Sequence, residues 1–447
     1  MAGSADPSVP SAVVSDEREC GTPCKEDAED ALLEGDRTFT PGTARAALRH
    51  RTFRTVYIGA FSSNVGTWMQ NVVLGALAYD LTGSGVFVGV IIAAQLGPLL
   101  VLSMVGGMLA DSVDRKRLLI GLSVAQALLS VGLAAVVTAA EPNKLLLVAV
   151  VLAIGVANAL YAPTFGSVLP ILVPREDLAG AISLNSVQMN ASRVVGPVIG
   201  SFLFARFGAS WVFLFNAVSY AAVIYALSRV TLPAPPATGE QGLHRILEGV
   251  RYARADRVVG RCIVIIFVFS LLCLPFITQM PTIADDNLDI AARSTSYGLL
   301  YAAFGLGAVV GALSIGTVFA GSDQARLVRR GLVGFAGMLV VFSLLRAPAP
   351  AFPAIFVLGA VYFAVITSLS TVLQHDLPDR VRGKVMALWI MGFGGTVPFG
   401  GLAGGFIAER FGVTALMLGG AAAALGLAAY ADLARAPEVS LSPVTVD

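Results

Sequence analysis

One arginine stands where its neighbours are apolar. In the run "SVQMNASRVVGPVIGS", Ser186 to Ser201, Arg193 has amides on one side and Val, Gly and Ile on the other. A guanidinium carries five N–H donors in one plane and accepts nothing. The chemistry open to it is the grip of a carboxylate or another planar anion. Residues around it sort by helical spacing into polar stripes: Asn185, Gln188 and Ser192 on one, Asn190 and Arg193 on another. Two further stripes lie upstream. Asn64, Trp68 and Asn71 fall at i, i+4, i+7 with Gln70 beside them, and Asn158, Tyr161 and Phe165 at i, i+3, i+7. Each stripe suits an interhelical hydrogen bond as well as contact with a bound molecule. Towards the C-terminus such residues thin out to Gln279, Tyr301, Thr367 and Gln374.

A second concentration of charge is the run "GGMLADSVDRKRLL", Gly106 to Leu119, which holds Asp111, Asp114, Arg115, Lys116 and Arg117 between two apolar stretches. The bases suit a solvated turn. Asp111 does not, because an acid at the C-terminal end of a helix opposes the helix dipole. It calls for a partner elsewhere, an arginine or another helix's N-terminus.

No other constellation suggests catalysis. Cys262 and Cys273 sit in an apolar run, and Cys20 and Cys24 have no second ligand pair, so no metal site is expected. His50, His244 and His375 fall at helix ends or in loops. A Ser/His/Asp set and a GxxxxGK phosphate loop are missing, so neither an enzyme nor a direct user of ATP is indicated, and no cofactor is expected. The formal charge of +1 gives no basic field for nucleic acid.

The elements that must hold these residues are set by composition. The chain has 447 residues, 56% hydrophobic and 13% charged, against about 25% charged in soluble domains. Such a chain belongs in lipid. Apolar runs recur at 55–79, 86–110, 117–139, 145–168, 180–205, 211–231, 259–284, 295–319, 328–346, 352–374, 383–407 and 413–434. Each is long enough to cross a hydrocarbon core of ~30 Å as a helix. None shows the ~10-residue alternation of barrel strands. Placing the N-terminus inside leaves Lys144, Arg206, Arg293, Arg346 and Arg410 outside and Arg193 within a span, with 24 of the 30 basic residues inside. The positive-inside rule then predicts both termini in the cytoplasm. Arg193 would lie roughly thirteen residues into span five, about 20 Å deep at 1.5 Å per residue. A guanidinium there costs about 2.5–3.5 kcal/mol. Two partners answer that cost: Asp80 at the outer end of span one, as a structural pair, or an anionic ligand. No acid lies near the middle of any span. Asp80, Asp285 and Asp286 are the near-membrane acids left to carry a coupling ion.

Residues 1–50 carry ten acids against five bases, with Pro, Gly and Ser, and read as a disordered cytoplasmic tail. Six spans follow in 51–231. A linker at 232–258 opens on Pro233, Pro235 and Pro236. In it "LHRILEGVRYA" sets Leu243, Ile246, Leu247 and Val250 on one face, a basic amphipathic helix expected on the inner leaflet. Six more spans fill 259–434, and 435–447 is a second cytoplasmic tail. The halves repeat. At an offset of 204, Gly107 and Leu109 fall on Gly311 and Leu313, Gly196 and Gly200 on Gly400 and Gly404, and "RFG" at 206–208 on "RFG" at 410–412. An even number of spans per half makes the repeat parallel, with its axis along the membrane normal.

"GMLADSVDRKRLL" resembles the loop signature between spans two and three of the major facilitator superfamily, G-x-L-a-D-r-x-G-r-k-x-x-l. Gly107, Leu109, Ala110, Asp111, Arg115, Lys116 and Leu119 match it; Ser112 and Asp114 depart from it, and Ile315 replaces the acid in the second half. "SSNVGTWMQ" at 62–70, "LVPREDLAGAISLNS" at 172–186, "RVVGPVIGS" at 193–201 and "LPDRVRGKVMAL" at 377–388 are similar to its siderophore-exporter, or transmembrane secretion effector, branch. The resemblance covers about 50–434. It implies an all-α integral membrane protein of twelve transmembrane helices in two parallel six-helix repeats. It implies a conformational latch at Gly107, Asp111, Arg115 and Lys116. "GPVIG" is similar to the antiporter signature of drug exporters, where Gly196, Pro197 and Gly200 serve as a span-five hinge or as plain packing.

The sequence therefore predicts a multi-pass secondary transporter of the plasma (inner) membrane. Its partners are the bilayer, a small amphipathic molecule of the drug or siderophore class, and a coupling ion that the family likeness makes H+. The expected substrate pathway is Asn64, Trp68, Asn71, Asn158, Tyr161, Gln188, Asn190 and Arg193. A nutrient importer of the same fold and a non-transporting sensor or scaffold are the rival readings.

Overall fold

The computed structural model describes residues 40–230, 242–375 and 377–433, and their side chains except those at 103–108, 110–112, 242–247, 379 and 380. Among the described residues every regular element is helical. The twelve spans are Arg51–Thr82, Gly85–Ser112, Arg115–Val137, Lys144–Val168, Leu178–Phe207, Ala209–Ser228, a broken seventh, Thr295–Gly316, Gln324–Leu344, Pro348–His375, a broken eleventh, and Val413–Tyr430. Span nine, the shortest expected run, is a full 21 residues because its charged first turn is helical.

Caps drawn from the loops set six of the twelve span starts. Ser84, Asp114, Asn143, Asp256, Ser294 and Asp323 each accept a backbone N–H of the first turn. Asp114 accounts for its own departure from the family glycine: it accepts from the N–H groups of Lys116 and Arg117, 2.9 and 3.1 Å away, and starts span three.

Two spans differ from the expected continuous runs. The seventh is Arg257–Val268, a π-helical turn Phe269–Cys273, then Pro275–Thr278, and a further helix, Met280–Leu288, follows it. Pro275 lacks an N–H and its ring crowds the preceding turn, so the ladder loosens just before it. The eleventh is Asp379–Gly395 and Val397–Phe411, interrupted at Thr396 ahead of Pro398. Pro197, by contrast, lies inside an unbroken helix.

The repeat holds in three dimensions. Gly208 and Gly412 take φ of 91° and 84°, a region that favours glycine, and each joins a span to the next. Gly196 and Gly200 lie against Trp68 and Met69 of span one; Gly400 and Gly404 lie against Leu271 and Pro275 of span seven. Span five therefore rests on span one as span eleven rests on span seven. The caps Ser84 and Ser294, and Asp114 and Asp323, also correspond, but at offsets of 210 and 209.

One apolar core runs through both halves, and the contacts that tie the spans differ between them. In the first, Gln70 Oε1 accepts from Ser130 Oγ (3.1 Å) and Asn216 Nδ2 (2.9 Å), tying spans one, three and six. Such bonds average about 0.6 kcal/mol each inside membranes. In the second, Phe269, Phe276, Phe304, Phe335 and Tyr362 pack ring against ring. The linker helix, Gly242–Ala255, does not simply lie beside the bundle: Gly249 packs on the Lys384 backbone and Glu248 pairs with Lys384, docking it on span eleven.

Candidate functional site

Ten spans are apolar enough along their length to count as membrane crossings by hydropathy. Spans one and five, 32 and 30 residues long, fall short of it. These are the helices that carry Asn64, Gln70, Asn71, Gln188, Asn190, Ser192 and Arg193. Their glycine-lined contact brings the two polar helices together, and Arg193 lies at their junction. Its guanidinium carbon stands 5.2 Å from the ring centre of Trp68 in span one and 5.4 Å from that of Phe363 in span ten. Arg193 thus touches both halves. Its Nε is buried without a hydrogen-bond acceptor. The pair with Asp80 expected from the sequence does not form. Asp80 is exposed at the far end of span one, and the two rings take the place of a carboxylate.

The remaining expected pathway residues fall into four situations. Asn64 Nδ2 reaches Met189 Sδ at 3.7 Å, again between spans one and five, and Asn71 Oδ1 accepts from Gln95 of span two. Asn190 Nδ2 donates to Ser186 O within its own helix (2.9 Å). Gln188 is 1% exposed, so it faces packed interior rather than an opening; its Nε2 and the Ser192 Oγ are buried without partners. Asn158 and Tyr161 are half-buried on span four, where Tyr161 stacks on Phe165, 5.7 Å between centres. No hydrogen bond or ring contact joins them to Arg193. The structure therefore gathers Trp68, Arg193 and, one turn away, Asn64, and leaves the others apart.

Away from the chain ends, at the distal face of the bundle, the halves are fastened to each other. Glu409 of span eleven accepts from Ser84 Oγ and from the Val86 N–H (3.0 Å), capping span two across the gap between halves. Gln279 Nε2 donates to Gly85 O and Gly401 O, both at 3.0 Å. Tyr79 OH donates to Asp286 Oδ1 (2.9 Å). Backbones touch between these bonds: a Cβ on Gly89 would sit 2.7 Å from Gly401 O. The distal face is shut. Sequence reasoning named Gln279 and Asp286 but missed Glu409 and Phe363. Glu409 had a signal, an acid just past the end of an apolar run; Phe363, one aromatic in an apolar span, had none.

At the proximal face, where the bundle begins and ends, the loop motif expected to act as a latch is described only in part. The side chains of Gly107 and Asp111 lie outside the described residues. Arg115 is buried at the start of span three, and Lys116 Nζ donates to Ser228 O at 2.9 Å. Nearby, Asp177 anchors the segment before span one, with Oδ2 2.8 Å from His50 Nε2 and Oδ1 3.0 Å from the Gly42 N–H. The His50 bond, then that N–H, hold its carboxyl below the usual carboxylate range. No group of His, Cys, Asp or Glu able to hold a metal occurs among the described residues.

Known proteins resemble the chain in sequence and in fold. The model of the transmembrane secretion effector family matches residues 42–442. Enterobactin exporters of Escherichia coli O1:K1 and Shigella boydii serotype 4 are 30% and 29% identical to the chain over 353 residues, which are 76% of it and 81% of each of them. The solved structure of a nucleoside transporter, NupG, superposes with a TM-score of 0.69 at 14% identity, covering 85% of this chain and 98% of that one. A bacterial homologue of the iron transporter ferroportin, in an inward-facing state, gives 0.68 at 15% identity over 85% and 98%.

Proposed function

The chain belongs to the transmembrane secretion effector family of major facilitator transporters, and from that membership we propose that it exports a small amphipathic molecule of the siderophore class by alternating access, driven by an ion gradient. The observation that carries this reading is the pairing of spans one and five. They are the two polar helices of an apolar bundle, in contact with each other and, through Arg193 and Phe363, with the second half. A fixed site at the meeting of two similar bundles is what rocking of one against the other requires.

In this reading the proximal face is cytoplasmic, as the placement of bases predicts, and the membrane is the plasma membrane. The six-helix bundles 51–231 and 259–434 move as bodies joined by the linker 232–258. The distal bonds of Glu409, Gln279 and Tyr79 hold the exit closed while substrate enters from inside. They break when the bundles rock, and the latch at Gly107, Asp111, Arg115 and Lys116 closes the cytoplasmic side in turn. Gly196 and Gly200 let span five pivot on span one, and Pro197 leaves one ladder bond unmade where the pivot lies. The coupling ion is H+, with Asp80, Asp285 and Asp286 as carriers.

Secretion tests this directly. Cells lacking the protein should retain siderophore that cells overproducing it release, with synthesis unchanged. An inside-to-outside distribution that is the same in both strains would remove the proposal and favour a sensor or scaffold.

A further inference from the structure

We propose that the two short helices ahead of spans one and seven are a repeated pair of cradles for the anionic phospholipid headgroups of the inner leaflet. The inference rests on the reading above that the proximal face is cytoplasmic. It starts from a correspondence between the halves. The helix Ala44–Arg49 ends one residue short of span one, at His50, and the linker helix Gly242–Ala255 ends one residue short of span seven, at Asp256. Each is docked on the start of a later span of its own half. Gly180 of span five packs on the Thr43 backbone. Gly249 of the linker helix packs on the backbone of Lys384 in span eleven, where a Cβ would lie 2.8 Å from Lys384 O. At the offset of 204 that relates the halves, Gly180 falls on Lys384. Beside each contact an acid and a base pin the helix: Asp177 with His50 in the first half, Glu248 with Lys384 in the second.

Docking divides each helix into two faces. Ala46 and Ala47 are buried against the bundle on one, Gly249 and Ala253 on the other. The outer faces are exposed and basic. Arg45 and Arg49 stand at i, i+4 on the first helix, and Arg251 and Arg254 at i, i+3 on the second. Among the described residues none of the four forms an ion pair; Arg49 reaches Asp177 only by longer-range attraction. The acids nearby are engaged or distant. Glu248 is held by Lys384, Asp256 accepts from the N–H groups of Val258 and Val259, and no acid occurs between Asp36 and Asp80. Two unpaired bases one turn apart, where the chain enters the hydrocarbon, stand at the level of lipid phosphates. An anionic headgroup supplies the missing charge. A zwitterionic one brings its own ammonium and gains less, and a soluble anion lacks the acyl chains that hold a phosphate at that level. The same arrangement recurs in both halves, so lipid would hold the base of each bundle at equivalent points, a footing about which the bundles tilt.

Amide hydrogen exchange of the purified full-length protein tests the proposal in nanodiscs of phosphatidylglycerol and of phosphatidylcholine with the same acyl chains. In the wild type, exchange at Ala44–Arg49 and Gly242–Ala255 should be about tenfold or more slower in phosphatidylglycerol, the size expected of two bases at an anionic surface, while span six exchanges alike in both. Arg45→Gln/Arg49→Gln should abolish the difference at Ala44–Arg49 alone, and Arg251→Gln/Arg254→Gln at Gly242–Ala255 alone, so each variant is the other's control. The corresponding Lys pairs, which keep the charge, should retain most of it. Equal exchange of the two helices in both lipids overturns the proposal even if no variant folds, and leaves the basic faces to another part of the chain, the acid-rich residues 1–39 foremost. A difference that survives the Gln substitutions overturns it as well. Inorganic phosphate that slows exchange in phosphatidylcholine as far as phosphatidylglycerol does assigns the faces to a soluble anion and overturns the lipid. Topology and export are scored separately: equal exchange removes this inference alone, whereas an outward-facing proximal side or loss of export removes the reading beneath it.

Discussion

At the scale of the residue, the legible and the illegible parts of the site separate cleanly. Arg193 was legible because a guanidinium in an apolar run must be answered by something. What answers it was not, since Asp80 is the near acid in sequence order while the rings of Trp68 and Phe363 are the neighbours in space. Phe363 lies 170 positions from Arg193 in an apolar span, and helical spacing carries no information across that distance. Gln188 stayed open between packing and pathway for a related reason. Its stripe was read correctly, but a stripe does not say whether it faces a cavity or a packed neighbour. Asp111 poses the opposite case, a residue whose position demands a partner through the helix dipole. Asp111→Asn should insert and fold at normal yield yet lose most transport, as a latch residue would. Full transport in that variant returns the loop to a plain charged turn.

At the scale of the element, glycine contacts control how the spans meet. A Cβ on Gly196 would lie 2.6 Å from Trp68 Cβ and 3.0 Å from the Met69 N–H nitrogen. Gly196→Val should therefore push span five from span one at a cost of about 1–3 kcal/mol, displace Trp68 from Arg193, and lower both thermal stability and flux. Gly97→Ala, with open space around it, should leave both unchanged; a Gly196→Val protein as stable and active as Gly97→Ala would refute the close approach. The segment before span one depends on Asp177. Because its folded carboxyl titrates below the ordinary range, the bond to His50 and Gly42 contributes stability above the unfolded pKa of about 3.9. That contribution is lost as pH falls through the lower folded value. Hydrogen exchange at Ala44–Arg49 should stay slow at neutral pH and quicken below about pH 4, and Asp177→Asn should exchange fast at all pH. Protection unaffected by that substitution would show that other contacts hold the helix.

At the scale of the molecule, the sequence revealed twelve spans and their repeat because hydropathy and glycine spacing are local signals that recur. The breaks in spans seven and eleven and the docking of the linker helix on span eleven were not visible, since each depends on what a distant segment offers. Orientation is open to labelling. With Cys20 and Cys24 replaced and Cys262 and Cys273 buried, a cysteine at Val113 should resist an impermeant thiol reagent in whole cells and one at Glu141 should react; the reverse pattern inverts the topology. Direction and driving force together form the central claim, and one flux measurement addresses both. Inside-out membrane vesicles containing the protein are energised by acidifying their lumen, and uptake of labelled siderophore is followed with and without a protonophore. Export coupled to protons predicts accumulation in these vesicles that the protonophore abolishes; accumulation confined to right-side-out vesicles would contradict it and make the protein an importer.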